Sequence, residues 1–185
     1  LSVRFDDTLK LERTDNMGKV KIYSDGAARG NPNGPGGYGT VVKYIDDNDI
    51  VTRTEEFTGG YPITTNNRME LMGVIAGLES LKEPSDATVT SDSSYVVNAF
   101  NKKWIDNWVA NGWKTSTGKA VKNEDLWKQL LLVKEPHNVD FVWVKGHNGH
   151  PENERCDYLA TSSADGKKLV KNKNGIFEEA TESET

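Results

Sequence analysis

The sequence predicts an α/β domain built on a five-stranded mixed sheet, an antiparallel meander followed by parallel strands, flanked by helices. Two patterns support this fold class. Residues 19–57 contain three segments in which apolar and polar side chains alternate, which is typical of half-buried strands. From residue 66 onward, helix-type and strand-type segments alternate, which favours parallel pairing of the strands that they separate.

Length and composition limit the size and class of this protein. Its 185 residues are 35% hydrophobic and 28% charged, which fits one globular domain. We assign this domain to residues 19–165, because the N-terminal segment 1–18 and the C-terminal segment 166–185 are polar, aperiodic and charged, as tails are. We expect a cytoplasmic protein without a membrane partner, since no apolar run approaches the length of a span and residues 1–18 do not resemble a secretion signal. The single cysteine excludes an internal disulfide and, with only three histidines, argues against structural zinc.

The first predicted strand, residues 19–26, ends on a carboxylate. Val20 and Ile22 alternate with polar side chains, and the pattern stops at Asp25 and Gly26. An Asp-Gly pair is common in turns, so Asp25 is either a turn residue or a site residue placed at a strand end.

A glycine-rich segment, residues 30–39, follows this strand. It lacks the Gly-Lys-Ser/Thr of a phosphate-binding loop and no helix pattern follows it, so we expect a loop that binds no nucleotide. Residues 40–45 and 50–57 are the next two strands, joined by a turn at 46–49. The meander is expected to end at residues 61–62.

The clearest helix covers residues 66–82, where apolar side chains recur at helical spacing after a run of threonines and asparagines. Glu70 lies in its first predicted turn, where it is either the acidic partner of Asn67 in a capping box or a site residue. Gly73 and Gly77 share the face of Glu70, and a glycine in a helix interior costs about 1 kcal/mol relative to alanine. We therefore expect these glycines to permit close packing on the sheet, which would hold Glu70 near the strand ends.

The fourth strand, residues 87–91, ends at Asp92 before the next helix. This aspartate is either a helix N-cap or a second site carboxylate. If the first and fourth strands are parallel neighbours, Asp25 and Asp92 end adjacent strands at the same edge of the sheet.

Residues 101–135 combine aromatic and basic side chains. Between residues 98 and 128, six lysines accompany three acidic residues, a local net charge of +3 in a chain of net charge -5. The tryptophans here either pack helices together or, with the lysines, contact a nucleic-acid backbone. The acidic total does not exclude such a partner, because a protein that collects carboxylates for metal is locally acidic before the metal binds.

The fifth strand, residues 139–144, leads into a segment rich in glycine and histidine and then into a helix that begins at Pro151. His147 and His150 are either solvated loop residues or parts of a site. Asp157, in the second turn of the helix, either interacts with the helix dipole or belongs to a carboxylate group.

Five motifs in this order resemble those of the type 1 ribonucleases H. They are Tyr-Ser-Asp-Gly at 23–26, Gly-Asn-Pro and Gly-Pro-Gly-Gly-Tyr-Gly within 30–39, Thr-Thr-Asn-Asn-Arg-Met-Glu-Leu-Met at 64–72, Thr-Ser-Asp-Ser at 90–93, and Trp-Val-Lys-Gly-His-Asn-Gly-His-Pro-Glu-Asn-Glu-Arg-Cys-Asp at 143–157. The resemblance covers about residues 19–165. It implies a ribonuclease H-like fold, in agreement with the strand and helix order predicted above.

The resemblance also implies a set of site residues. Asp25, Glu70, Asp92 and Asp157 would hold two Mg2+ ions, or Mn2+, with Asp25 bridging both, and carboxylate oxygens suit these hard cations. His147 would be a catalytic histidine on a mobile loop. The residues implied in substrate binding are Asn31, Thr65, Asn66, Ser94, Trp104, Trp108, Trp113, Lys102, Lys103, Lys114 and Lys119. Within that set the asparagines and the backbone near Ser94 would face RNA 2'-hydroxyls, Thr65 a DNA phosphate, and the tryptophans and lysines would form a basic protrusion.

The implied activity is endonucleolytic hydrolysis of the RNA strand of RNA/DNA hybrids by a monomer, giving 5'-phosphate and 3'-hydroxyl ends. Two alternatives stay open: a non-catalytic hybrid-binding module, and a related two-metal DNA nuclease or integrase of similar fold. The presence of all four carboxylates argues against the first alternative, and the asparagines that would face 2'-hydroxyls argue against the second.

Overall fold

Five strands form the central sheet of this computed structural model, which describes residues 17–30 and 32–181. The strands are β1 (Gly18–Ala28), β2 (Gly34–Ile45), β3 (Val51–Thr64), β4 (Ser85–Ser91) and β5 (Asn138–Trp143). Their order in the sheet is β3-β2-β1-β4-β5. The pairs β1–β2 and β2–β3 are antiparallel, whereas β4 is parallel to both β1 and β5. The predicted meander followed by parallel strands is therefore confirmed.

Helices cover both faces of this sheet. The helices of the described residues are α1 (Asn66–Glu79), α2 (Ser94–Asn101), α3 (Trp104–Ala110), α4 (Glu124–Lys134) and α5 (Pro151–Ala164). On one face, α1, α2 and α4 share the main core, which contains Val42 and the fully buried Trp127. On the other face, α5 packs Cys156 and Leu159 against Val41. Among the described helices, none combines the length and the apolar composition needed to cross a membrane.

The close packing expected from the glycines of α1 is confirmed. A Cβ atom at Gly77 would lie 2.7 Å from Cγ2 of Ile22, and one at Gly73 would lie 3.2 Å from Cβ of Ser24. Both neighbours belong to β1, so the backbone of α1 lies directly on that strand. The helix itself ends at Glu79, slightly before the predicted end.

The glycine-rich segment is not a loop, because residues from Gly34 onward belong to β2 and pair with β1. The physical reason is the approach of α5 to this strand. A Cβ atom at Gly39 would lie 2.2 Å from the carbonyl oxygen of Cys156, and one at Gly37 would lie 2.5 Å from that of Ala160. These glycines admit a helix rather than form a turn. Strand β3 also runs past Pro62, which an edge strand tolerates.

A second, smaller sheet follows α5. Strands β6 (Leu169–Lys171) and β7 (Phe177–Glu179) pair antiparallel as a hairpin. The composition of residues 166–185 predicts a disordered charged tail, and this prediction is wrong for the hairpin. Its charges are paired: Lys171 donates to Glu55 at 3.1 Å and Lys167 donates to Glu179. The other predicted tail falls mainly on residues 1–16, which lie outside the described residues.

A buried carboxylate joins this hairpin to the main sheet. Glu56 on β3 is buried, and Arg155 of α5 donates to both of its oxygens at 2.7 and 2.8 Å. The N–H of Phe177 donates to the same carboxylate at 2.9 Å, and Arg155 also donates to the carbonyl oxygen of Phe177 at 2.7 Å. The hairpin therefore satisfies part of a buried ion pair that links α5 to the edge of the sheet.

Candidate active site

Three carboxylates converge at one edge of the sheet. Asp25 lies near the end of β1, Glu70 lies on α1, and Asp92 directly follows β4. One carboxylate oxygen from each lies within 4.8 Å of the others. The parallel register pairs Ser24 with Ser91, so the next residue of each strand is an aspartate at the same edge. The predicted juxtaposition of Asp25 and Asp92 is confirmed.

Glu70 joins this group because α1 crosses the end of β1 at very short range. A Cβ atom at Gly26 would lie 2.4 Å from the backbone nitrogen of Glu70, so only glycine fits beside it. The capping interpretation of Glu70 is wrong. Thr65 is the N-cap, with its side chain accepting the N–H of Arg68 at 3.2 Å, and Glu70 lies beyond the first turn with its side chain directed at the aspartates.

Asp92 is likewise not a helix cap. The N-cap of α2 is Ser93, whose side chain accepts the N–H of Val96 at 3.3 Å. The carboxylate of Asp92 is therefore not needed by the helix and is half-buried within the group of three.

Burial and mutual repulsion shift the pKa values of this group. Burial, followed by the charge of Asp92, raises the pKa of Asp25 to about 8, although the N–H of Gly26 donates to Asp25 Oδ1 at 2.9 Å and opposes the rise. Burial and then the charge of Asp25 raise the pKa of Glu70 well above its usual value. Oε2 of Glu70 is buried without a hydrogen-bond partner. A divalent cation would supply both the missing positive charge and a partner for that oxygen, so these residues fit a metal site.

The fourth predicted carboxylate, Asp157, is not one of the three that lie within 4.8 Å of one another. It is half-buried on α5, and its negative charge contributes to the raised pKa of Asp25. His150 is the N-cap of this helix, with Nδ1 accepting the N–H of Asn153 at 3.2 Å, so this partly buried residue has a structural role. His147 is exposed in the loop between β5 and α5 and has a φ of 52°.

The family model described as RNase H matches residues 17–165 of this chain. The chain belongs to the ribonuclease H family. The curated Ribonuclease H of Lachnoclostridium phytofermentans is 60% identical over 152 residues, which cover 82% of this chain and 96% of that protein. The Ribonuclease H of Oleidesulfovibrio alaskensis is 50% identical over 148 residues, covering 80% and 92%.

A solved structure supports the same assignment. LC9-RNase H1, a type 1 RNase H with the type 2 active-site motif, has a TM-score of 0.73 and 30% identity, covering 89% of this chain and 78% of its own. The resemblance to type 1 ribonucleases H and the ribonuclease H-like fold are therefore confirmed, and the chain is an endoribonuclease of the hydrolase class by its family.

Beside the carboxylates of this ribonuclease H lies a polar cavity of about 570 Å³. It is lined by Ala28, Thr65, Asn66, Asn67, Lys122 and Asn123. The structure thus brings Thr65 and Asn66 together with residues that the sequence analysis missed. The sequence signal that could have identified these missed residues was an asparagine, Asn123, just before α4. It has a left-handed φ of 61° and makes no capping bond, because its Oδ1 instead accepts from Arg68 at 3.3 Å while its Nδ2 donates to the Tyr95 hydroxyl at 3.1 Å.

Of the two further predicted substrate residues, the structure describes only Ser94. Ser94 is exposed in the first turn of α2, two residues after Asp92. Asn31 lies outside the described residues, in the connection between β1 and β2.

Residues 102–122 are the aromatic and basic segment that the resemblance implies to be a basic protrusion, and they are called the protrusion below. Trp108 is half-buried and contacts the core residue Trp127 edge to face at 5.4 Å, and Trp113 also packs against the main core. Trp104 is 37% exposed. The packing interpretation therefore holds for Trp108 and Trp113. The protrusion lysines, Lys102, Lys103, Lys114 and Lys119, are all exposed.

Proposed function

We propose that this ribonuclease H hydrolyses the RNA strand of RNA/DNA hybrids, cutting internally and leaving 5'-phosphate and 3'-hydroxyl ends. The observation that carries the proposal is the convergence of Asp25, Glu70 and Asp92 at the edge of the sheet, with raised pKa values for Asp25 and Glu70. A non-catalytic protein gains nothing from crowding three carboxylates, because their repulsion lowers its stability. Membership of the ribonuclease H family supports RNA as the strand that is cut.

The proposed metals are two Mg2+ ions, with Mn2+ as an alternative. The carboxylates of Asp25, Glu70 and Asp92 would hold one ion, and Asp25 with Asp157 would hold the other. When bound, two such ions neutralise charge on the attacking and leaving oxygens and activate water. The donor set supports this choice, since the ligands are all carboxylate oxygens and neither sulfur nor imidazole belongs to the group of three.

The protein's own residues would order and balance this reaction. Asp25 and Glu70 retain protons more readily than ordinary carboxyl groups, so loading of metal should release protons from them. The exposed loop residue His147 is suited to assist proton transfer or departure of the product, because it can move without disturbing a packed element.

The polar cavity is proposed to bind a phosphate of the DNA strand. Oγ1 of Thr65 accepts the N–H of Arg68, which leaves its hydroxyl hydrogen available for a phosphate oxygen. Lys122 adds positive charge, and Asn123 is held in place by Tyr95 and by Arg68, which donates to Asn123 Oδ1 at 3.3 Å. A prepositioned polar pocket of this kind fixes the register of a duplex.

The remaining contacts of the proposal are with the RNA strand and with the nucleic-acid backbone. Asn31, Asn66 and the backbone near Ser94 are proposed to face RNA 2'-hydroxyls, and the protrusion lysines with Trp104, Trp108 and Trp113 to follow the nucleic-acid backbone. All of these residues belong to one chain, so the proposal requires no second subunit and is consistent with a monomer.

One assay tests this function. Labelled RNA/DNA hybrid, duplex DNA and duplex RNA are incubated with the protein in Mg2+ or in EDTA, and the ends of the products are determined. We expect cleavage of the hybrid alone, only with metal, and only in its RNA strand. Binding of the hybrid without cleavage would indicate the non-catalytic module, and cleavage of duplex DNA would indicate the nuclease or integrase alternative. Either result would overturn the proposal.

A further inference from the structure

A glycine in the loop after β5 lies directly against one of the three carboxylates. A Cβ atom at Gly146 would lie 2.6 Å from Oδ2 of Asp92, 3.4 Å from its Cγ and 3.5 Å from its Cβ. Gly146 is not among the described glycines with a positive φ, so its backbone conformation is open to other residues. The contact with Asp92, and not the backbone, is what requires glycine at this position.

The same segment also holds the main chain of Asp92. The indole Nε1–H of Trp143 donates to the carbonyl oxygen of Asp92 at 3.0 Å, and the N–H of Val144 donates to that of Ser91 at 3.0 Å. Trp143 is 52% exposed and does not belong to the main core. With the backbone held in this way, the side chain of Asp92 can still rotate. The backbone of Gly146 lies close to one side of its carboxylate.

We propose that Gly146 and Trp143 are positioning residues that keep the carboxylate of Asp92 directed at Asp25 and Glu70. Gly146 acts through its lack of a side chain, since a Cβ there would lie 2.6 Å from Oδ2 and would displace the carboxylate from its position beside the other two acids. Trp143 acts through its hydrogen bond to the backbone. This inference rests on the proposed function, because it assigns both residues to the support of a proposed metal ligand.

Adding one methyl group to Gly146 should disturb the site and spare the fold. The nearest atom is the end of a short, half-buried side chain, which can rotate away, whereas a clash with buried backbone could not be relieved so easily. A rotated Asp92 would lose its alignment with the other carboxylates. Outer residues that orient metal ligands typically change metal affinity by about 10- to 100-fold, and a displacement of about 1 Å can reduce the rate by about 100-fold.

Gly146→Ala tests the contact, and Gly149→Ala is the matched control in the same loop. Gly149 has a φ of +74° and nothing within 4 Å of a Cβ, so alanine there strains the loop without touching Asp92. We expect Gly146→Ala to weaken Mn2+ binding by about 10-fold or more in calorimetric titrations without substrate. The kcat on hybrid should fall while KM changes less than threefold and the melting temperature of the metal-free protein stays within 2 °C. Gly149→Ala should keep the Mn2+ affinity of the unmodified protein.

Equal Mn2+ affinities for Gly146→Ala and the unmodified protein would overturn the role of Gly146, as would an equal loss in Gly149→Ala. Trp143→Phe keeps the ring and removes the donor, and an unchanged Mn2+ affinity would overturn the role of Trp143. A double-mutant cycle with Asp92→Ala adds a further condition: Gly146→Ala should have no additional effect on Mn2+ binding once the carboxylate is gone.

Asp92→Asn separates this inference from the function on which it rests. Continued cleavage of hybrid by Asp92→Asn would contradict the proposed site itself. Loss of cleavage in Asp92→Asn, combined with normal metal binding in Gly146→Ala, would refute the positioning role alone.

Discussion

Replacing Asp25 by asparagine should have opposite effects on activity and on stability. Asparagine has nearly the same shape as aspartate, but it carries no charge to hold a cation and none to repel Glu70 and Asp92. We expect Asp25→Asn to abolish cleavage of hybrid and, in the metal-free protein, to raise the free energy of unfolding at neutral and alkaline pH.

The magnitude and sign follow from the raised pKa of Asp25. The native pKa of about 8, against an ordinary value of 3.8, means that the folded protein keeps a proton that the unfolded chain releases over this pH range. The contribution of Asp25 protonation to the free energy of unfolding is therefore fully present below about pH 4. This contribution is lost as the pH rises towards 8, by about 1.4 kcal/mol per pH unit at most. Asparagine removes this loss. We expect a gain of about 2 to 4 kcal/mol at pH 8, less than the full amount because Glu70 and Asp92 still repel each other.

Urea unfolding in EDTA at pH 4, 6 and 8 measures this difference. The two proteins should have similar stability at pH 4 and should diverge as the pH rises. Adding Mg2+ should stabilise the unmodified protein more than Asp25→Asn. Asp86→Asn is a matched control, since it neutralises a carboxylate at the other end of β4, far from the group of three. A pH-independent difference, or an active Asp25→Asn enzyme, would refute the reasoning.

Three further predictions concern the loop, the protrusion and the hairpin. Replacing His147 by alanine should reduce kcat by about 100-fold without ending cleavage; an unchanged rate from pH 6 to 9 would exclude the proposed role, and complete inactivity would make His147 a primary ligand. Replacing the four protrusion lysines by alanine should raise KM and flatten the slope of log affinity against log salt by up to about 3 to 4, with kcat at saturating hybrid changed far less; an unaltered slope would leave the protrusion only a packing role. Glu56→Gln should lower the free energy of unfolding by about 2 to 3 kcal/mol, because Arg155 then lacks its counter-charge. As a control, replacing the exposed Asp165 by asparagine should change the free energy of unfolding by less than about 1 kcal/mol. Equal effects of the two substitutions in urea unfolding would contradict the importance of burial.

The five strands of the central sheet, apart from the glycine-rich start of the second, the main helices and the positions of three site carboxylates could be predicted from the sequence. Each depends on a signal between near neighbours in the chain. Val20 and Ile22 alternate with polar residues because a strand presents opposite faces in turn, and Asp25 comes three residues after Ile22. Once the strand order was predicted, the meeting of Asp25 and Asp92 required only that parallel strands end at the same edge.

The glycines illustrate where prediction from sequence stopped. Gly73 and Gly77 interrupt a clear helical pattern, so their role in close packing could be predicted. Gly37 and Gly39 occur among other glycines and a proline, where a loop was the natural interpretation. Their true partner is α5, more than a hundred residues away in the chain, and no local pattern reports that contact.

The C-terminal hairpin was missed for a related reason. A composition rich in lysine and glutamate predicts disorder when the charges are solvated. Here Lys171 is paired with Glu55 of β3, and the N–H of Phe177 donates to the buried Glu56. The hairpin is therefore stabilised by a strand that lies more than a hundred residues earlier in the chain.

The sequence by itself determined which chemical groups are available: carboxylates at two strand ends and on two helices, a loop histidine, and lysines among tryptophans. Only the tertiary structure decided their properties. Burial of Asp25 raises its pKa to about 8, Oε2 of Glu70 is left without a hydrogen-bond partner, and the backbone of Gly146 lies so close to the carboxylate of Asp92 that a side chain there would meet it. Each of these properties arises between segments that are distant in sequence, because desolvation and steric contact depend on what surrounds a side chain in space and not on its neighbours in the chain.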